Sequence, residues 1–110
     1  KLEESCLVMT NKEKFLNLLG LATRANKLIS GDETTLNSIR KEKVRLVIVA
    51  SDASEGTIKK FRDKCDYYDT PILVTFTKVE LSHAIGKSRA IIGVVDQGFS
   101  RKMRELMTEE

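Results

Sequence analysis

The sequence predicts an α/β protein, a three-layer α-β-α sandwich in which a sheet lies between two layers of helix. Three observations carry that prediction. Helical and strand periodicities alternate along the chain with short connections between them. The run Val44-Arg45-Leu46-Val47-Ile48-Val49-Ala50 is almost continuously apolar and β-branched, which suits a central strand covered on both faces. Thr10-Asn11-Lys12-Glu13 and Thr77-Lys78-Val79-Glu80 are capping boxes, in which a threonine hydroxyl and a glutamate three residues on satisfy each other's backbone amides and start a helix.

The elements follow in order. Residues 1–8 show no period, and Met9 is read as the start of the domain, with the first eight residues a leader or upstream extension. Phe15, Leu18, Leu19 and Ala22 recur at helical spacing after Thr10, so the first helix runs to about Arg24. Leu28-Ile29-Ser30 is a short extended piece ending at Gly31. Asp32 is the expected cap of a second helix, with Leu36 and Ile39 turned inward and an end near Lys41. After the strand at 44–50, Ser51-Asp52-Ala53-Ser54 turns into a third helix striped by Ile58, Phe61, Cys65 and Tyr68. Pro71 to Phe76 is the next strand, with proline at its permitted first position. The helix from Thr77 closes at Gly86, Ala90 to Val95 is the fourth strand, and Phe99, Met103, Leu106 and Met107 mark the last helix.

Composition bounds the function. A chain of 110 residues is one domain, and no apolar run approaches the ~20 residues a spanning helix needs. The expected compartment is the cytoplasm. Two cysteines, Cys6 and Cys65, and one histidine, His83, supply neither a disulfide framework nor a zinc site. Cys65 falls on an apolar helical stripe, where a thiol is a packing group, and His83 sits between Leu81 and Ile85 with no nucleophile at a catalytic spacing. Asp63, Asp66 and Asp69 read as a solvated face. No glycine-rich phosphate loop occurs. The expectation is no enzyme, no cofactor, no metal and no small-molecule substrate.

Charge is more informative. Residues 27–45 carry Lys27, Arg40, Lys41, Lys43 and Arg45 against Asp32, Glu33 and Glu42, a net of +2. Residues 86–104 carry Lys87, Arg89, Arg101, Lys102 and Arg104 against Asp96, a net of +4, which leaves −3 for the rest of the chain. Two basic segments in an otherwise acidic chain fit either solvated helix ends or a patch for a polyanion. Ser30-Gly31-Asp32-Glu33-Thr34 starts a helix, where free amides and the dipole favour an anion. Gly86-Lys87-Ser88-Arg89 leads straight into a strand. In an alternating sandwich such loops gather at one end of the sheet. If these two meet, they make a site of backbone donors, hydroxyls and two cations. Asp32 and Glu33 are read either as complements to the helix dipole or as acceptors for a base amino group.

Leu28-Ile29-Ser30-Gly31, the polar helix start after it, Val44 to Ala53, Pro71-Ile72-Leu73-Val74 and Glu80-Leu81-Ser82-His83-Ala84-Ile85-Gly86-Lys87 together resemble the ribosomal L7Ae/L30e family. The likeness covers Asn11 to Met107, and Gly20-Leu21-Ala22-Thr23-Arg24-Ala25 brings it nearest to the short bacterial YlxQ-like branch. The resemblance implies a four-stranded mixed sheet and binding of structured RNA, typically a kink-turn. It also implies that the start of the second helix (Gly31, Glu33, Thr34, Asn37) enters the groove, while the loop Ile85–Ala90 holds bulged nucleotides. This chain departs from the family pattern at the recognition helix. Glu33 stands where Asn or Lys is usual, Thr34 where Glu or Gln is usual, and Asn37 where Lys is usual.

The expected function is thus a non-enzymatic RNA-binding protein over residues 9–110, a kink-turn reader or a reader of other structured RNA, with ribosomal RNA and ribosomal proteins as partners and no membrane. Gly31, Thr34, Asn37, Arg40 and Lys41 are expected on one side of the site, Lys87, Ser88 and Arg89 on the other, and Lys27 nearby. Glu33, Thr34 and Asn37 would read bases while the cations contact phosphate. The alternative is a protein-interaction module on the same scaffold that binds a ribosomal or transcription partner, whose mark would be an exposed apolar patch near Phe99 and Met103.

Overall fold

A computed structural model describes residues 10–108, so the expected leader, Met9 and Cys6 lie outside the described residues. Both capping boxes form. The Thr10 hydroxyl accepts from the Glu13 amide at 3.1 Å, and the Glu13 carboxylate accepts from the Thr10 amide at 3.0 Å. The same exchange joins Thr77 and Glu80 at 3.2 and 2.9 Å. These open α1 (Asn11–Arg24) and α4 (Lys78–Ile85), and Gly86, left-handed at φ 80°, closes α4. Between and after them lie β1 (Leu28–Ser30), α2 (Asp32–Arg40), β2 (Leu46–Val49), α3 (Glu55–Tyr67), β3 (Ile72–Val74), β4 (Ile91–Val94) and α5 (Gln97–Thr108).

One cap differs from the expectation. Asp32 does not cap α2; it is the first helical residue, and the cap position is Gly31, at φ 97° and ψ 154°. The left-handed half of the backbone map is open to glycine and costly to other residues, which is why the chain turns there. The Asp32 carboxylate reaches instead to the Lys60 ammonium at 3.5 Å, linking α2 to α3.

The sheet order is β1-β4-β2-β3, with β4 antiparallel to both neighbours and β2 parallel to β3. This is the four-stranded mixed sheet. Its central strands, β2 and β4, are buried throughout, while edge strands β1 and β3 are half-buried. On one face Phe15, Leu19, Leu81, Met103 and Leu106, from α1, α4 and α5, pack on Leu46, Ile48, Ile92 and Val94. On the other, Ile39, Phe61 and Cys65, from α2 and α3, pack on Val47, Val49 and Ile91. Burying aliphatic side chains on both faces at about 1.5–3 kcal/mol each is what stabilises an α-β-α sandwich poor in aromatics. Gly93 lets α2 approach, since a Cβ there would lie 2.9 Å from Ile29 Cγ1 and 3.4 Å from Thr35 Cγ2.

Strands β1, β2 and β3 all run one way. Their last residues and the start of β4 therefore lie at one end of the sheet, and Lys27, Arg45, Pro71 and Val95 lie at the other. Met103 is fully buried and Phe99 packs half-buried against the core, so the apolar patch considered there is turned inward. Among the described residues no helix is long and apolar enough to cross a membrane.

Candidate functional site

The end of the sheet where β1 stops and β4 starts carries a shallow concavity of ≈ 420 Å³. Ser30, Gly31, Asp32, Glu33 and Thr34 form one wall, and Ser88, Arg89, Ala90 and Ile91 the other. The two loops singled out by sequence do meet. The Gly31 amide donates to the Ile91 carbonyl at 3.0 Å, extending the β1–β4 pairing by one bond and fixing the loops against each other.

Two properties of Gly31 shape this cleft. No side chain caps α2, so the first amides of the helix, in residues that line the cleft, are left without a side-chain acceptor. A Cβ on Gly31 would sit 3.9 Å from Arg89 Nε, so the guanidinium lies directly over the glycine. A cation and a helix N-terminus, both attractive to an anion, converge on one spot.

Arg89 is held by its backbone. Its amide donates to the Ser82 hydroxyl at 3.0 Å, and that hydroxyl lies 3.2 Å from the Arg89 carbonyl oxygen, to which it donates. The guanidinium donates to the Ser88 carbonyl at 3.0 Å, and no carboxylate lies within ion-pair distance among the described residues. Ser82, one turn before the end of α4, was not a sequence candidate. Neither was Lys78, which lines the cleft and whose amide donates to Asp52 at 3.0 Å. The available signal was a lysine at the first position of a helix, where the dipole disfavours a cation and some other role is indicated.

The other candidates divide. Lys87 and Ser88 line an adjoining depression with Lys78, Val79, Ser82, His83 and Gly86. Ser88 and Lys78 thus belong to both hollows, and Val79, 75% exposed, is an apolar group at their rim. Asn37 is exposed one turn along α2 from Glu33 and Thr34, so these three share a helix face that continues the cleft. Arg40 and Lys41 lie at the far end of α2, about 9–11 Å beyond Thr34 at 1.5 Å per residue. Lys27 precedes β1 and stands at the opposite end of the sheet from Gly31. The expectation that Lys27, Arg40 and Lys41 cluster with the loops took closeness in sequence for closeness in space. A strand and a helix carry them away.

The residues set aside for catalysis stay apart. Cys65 is buried in the α2–α3 layer, where desolvation pushes its thiol up to about 11, far from a reactive thiolate. His83 is exposed on α4, across the sheet from Cys65. Among the described residues no group of His, Cys, Asp and Glu is placed to hold a metal.

Residues 13–104 match the model of the ribosomal protein L7Ae/L30e/S12e/Gadd45 family. The RNA-binding protein YlxQ of Enterococcus faecium is 50% identical over 97 residues, covering 88% of this chain and 94% of that protein. The RNA-binding protein YlxQ of Bacillus subtilis is 42% identical over 91 residues, covering 82% and 91%. A Bacillus halodurans protein of unknown function superposes with a TM-score of 0.84 at 46% identity, covering 86% of this chain and 97% of that one. The Giardia lamblia 15.5 kD RNA binding protein superposes at 0.77 with 17% identity over 90% and 86%, a likeness of fold.

Proposed function

Because the chain belongs to the ribosomal protein L7Ae/L30e/S12e/Gadd45 family, we propose that it is a cytoplasmic, non-enzymatic RNA-binding protein whose cleft takes a structured RNA of the kink-turn type, with ribosomal RNA as its source. The observation that carries the reading is the Arg89 guanidinium lying over Gly31 at the uncapped start of α2. That arrangement offers a phosphate oxygen both a charge and backbone donors. Relatives at 50% and 42% identity bear the name RNA-binding protein, which supports the same choice.

Roles follow from position. Arg89, Lys87 and Lys78 contact phosphate. Glu33, Thr34 and Asn37 form the exposed face of α2 that meets base edges, with carboxylate, hydroxyl and amide groups where the family pattern has Asn or Lys, Glu or Gln, and Lys. A carboxylate at Glu33 selects a base amino donor and repels phosphate, so the preferred RNA presents an amino edge there. Ser82 positions Arg89.

The test is a salt titration of binding to a kink-turn RNA, a plain duplex and a bulged duplex. Preference for the kink-turn is expected. Equal, salt-sensitive binding to all three would reduce the site to a basic surface without motif selectivity, and no binding at moderate salt would overturn the reading.

A further inference from the structure

Among the described residues, the cleft does not account for most of the positive charge without an ion-pair partner. Lys27, Lys41, Lys43 and Arg45 are exposed, and none has a carboxylate within ion-pair distance among the described residues. Strand direction puts all four at the end of the sheet away from the cleft. The pairing Leu28–Val94–Leu46 makes Lys27 and Arg45 the next residues outward on either side of Val95. Two strand spacings separate them, about 10 Å.

Their backbones are fixed. The Val95 amide donates to the Lys27 carbonyl at 3.0 Å, the Arg45 amide to the Val94 carbonyl at 2.7 Å, and the Lys43 amide to the Ser38 carbonyl at 2.9 Å. The Ser100 hydroxyl donates to the Arg45 carbonyl at 3.2 Å, and Arg45 and Arg104 line one depression. The nearby carboxylates limit the patch without neutralising it. Asp96 is engaged as the acceptor for the Phe99 amide at 2.9 Å, while Glu42 and Asp69 share the depression of Arg45 and Arg104.

We infer that this end of the sheet, built by Lys27, Lys41, Lys43 and Arg45, is a second phosphate-binding surface that holds a helical arm of the RNA whose bend occupies the cleft. The inference rests on the cleft being an RNA site. Lysine-rich, unpaired and rigidly mounted, the surface suits a regular polyanion; a protein partner would favour a patch depleted in lysine at its centre. It stands four residues of extended chain from Gly31, about 13 Å, so one RNA with a long stem reaches both ends of β1. Binding of this kind reads no sequence and shows itself in salt dependence.

Two RNAs with the same kink-turn test it, one with stems trimmed to a few base pairs and one with a stem longer than a helical turn. The triple variant Lys27→Gln, Lys43→Gln, Arg45→Gln should bind the trimmed RNA within about 2-fold of wild type. On the long RNA its log–log salt slope should fall by about 0.7–0.9 for each phosphate that the variant no longer neutralises. Circular dichroism of the variant checks that the fold is kept, and a Lys27→Arg, Lys43→Arg variant should retain the wild-type slope. An unchanged slope on the long RNA, or equal losses on both RNAs, would overturn the second surface while leaving the cleft standing. Wild type that binds neither RNA would remove both.

Discussion

Ser82 and Arg89 are bonded twice: the serine hydroxyl accepts from the Arg89 amide at 3.0 Å and lies 3.2 Å from the Arg89 carbonyl it donates to. The last turn of α4 thus holds the residue that faces Gly31, and the loop between them returns to the sheet at a fixed place.

Ser82→Ala is therefore expected to weaken RNA binding through the loss of its two bonds to Arg89. Losing a hydrogen bond of this kind is worth about 1 kcal/mol, or roughly 5-fold in affinity. Titration of a kink-turn RNA beside a thermal melt checks it. A melt unchanged while affinity falls is the signature of positioning, and affinity unchanged would assign Ser82 to the fold alone.

Removing the cations themselves should act differently. Lys87→Ala with Arg89→Ala is expected to lower affinity and to flatten the salt dependence by on the order of 0.7–0.9 for each phosphate left without its cation. The slope of log affinity against log salt is the measurement, and a slope equal to wild type would sink the assignment of these two residues.

Gly31→Ala puts a Cβ where φ is 97° and 3.9 Å from Arg89 Nε. Backbone strain of about 1–3 kcal/mol is expected, with the guanidinium displaced from the helix start. Gly93→Ala should cost stability by overpacking and reach the cleft indirectly, because its Cβ would fall 2.9 Å from Ile29 Cγ1 and 3.2 Å from Ile29 Cδ1. Overpacking of this kind costs about 1–3 kcal/mol. Melting temperatures of the two variants, measured beside RNA affinity, should show both destabilised and Gly31→Ala the poorer binder for its stability loss.

Much of the fold is legible in the sequence, and the parts that are not have physical causes. Thr10 with Glu13 and Thr77 with Glu80 are local devices, complete within four residues, so their caps are readable from the letters. The run 44–50 reveals its double burial because neither face needs polar groups. Asp32 misleads because aspartate is a good cap, whereas the turn there needs the backbone freedom of Gly31. Lys27 groups with Gly31 on sequence distance, although an intervening strand moves residues apart at about 3.3 Å each. Ser82 and Lys78 matter through tertiary bonds to Arg89 and Asp52, which no spacing announces.

Acid should loosen the α1–α4 packing. The Lys12 ammonium, then the Thr77 amide, hold the Glu80 carboxyl below its usual value. A carboxylate more acidic in the folded than the unfolded chain stabilises the fold above the unfolded pKa, near 4.3, and that contribution disappears as pH falls through the folded value. Wild type should thus lose more thermal stability than Glu80→Gln between about pH 5 and pH 3. Equal losses in parallel melts would show that the pair contributes nothing.

Cys65 should resist alkylation in the folded protein. Its thiol is fully buried and pushed up to about 11, so almost no thiolate is present at neutral pH. Mass spectrometry of iodoacetamide-treated protein should find the Cys65 peptide modified only after denaturation. Rapid labelling under native conditions would mean that the α2–α3 layer opens readily.

The place of β4 sets when the site can come into being. β4 is the last of the four strands to be synthesised, yet it lies inside the sheet, and it is the strand to which β1 pairs. Until Ile91 to Val94 leave the ribosome, Leu28 to Ser30 have no ladder to join, and Gly31 has no Ile91 carbonyl to anchor it. Pairings so distant in sequence close late, after the loop entropy between them has been overcome. A nascent chain truncated before β4 thus lacks the cleft altogether, so RNA capture at the proposed site requires a chain complete through β4.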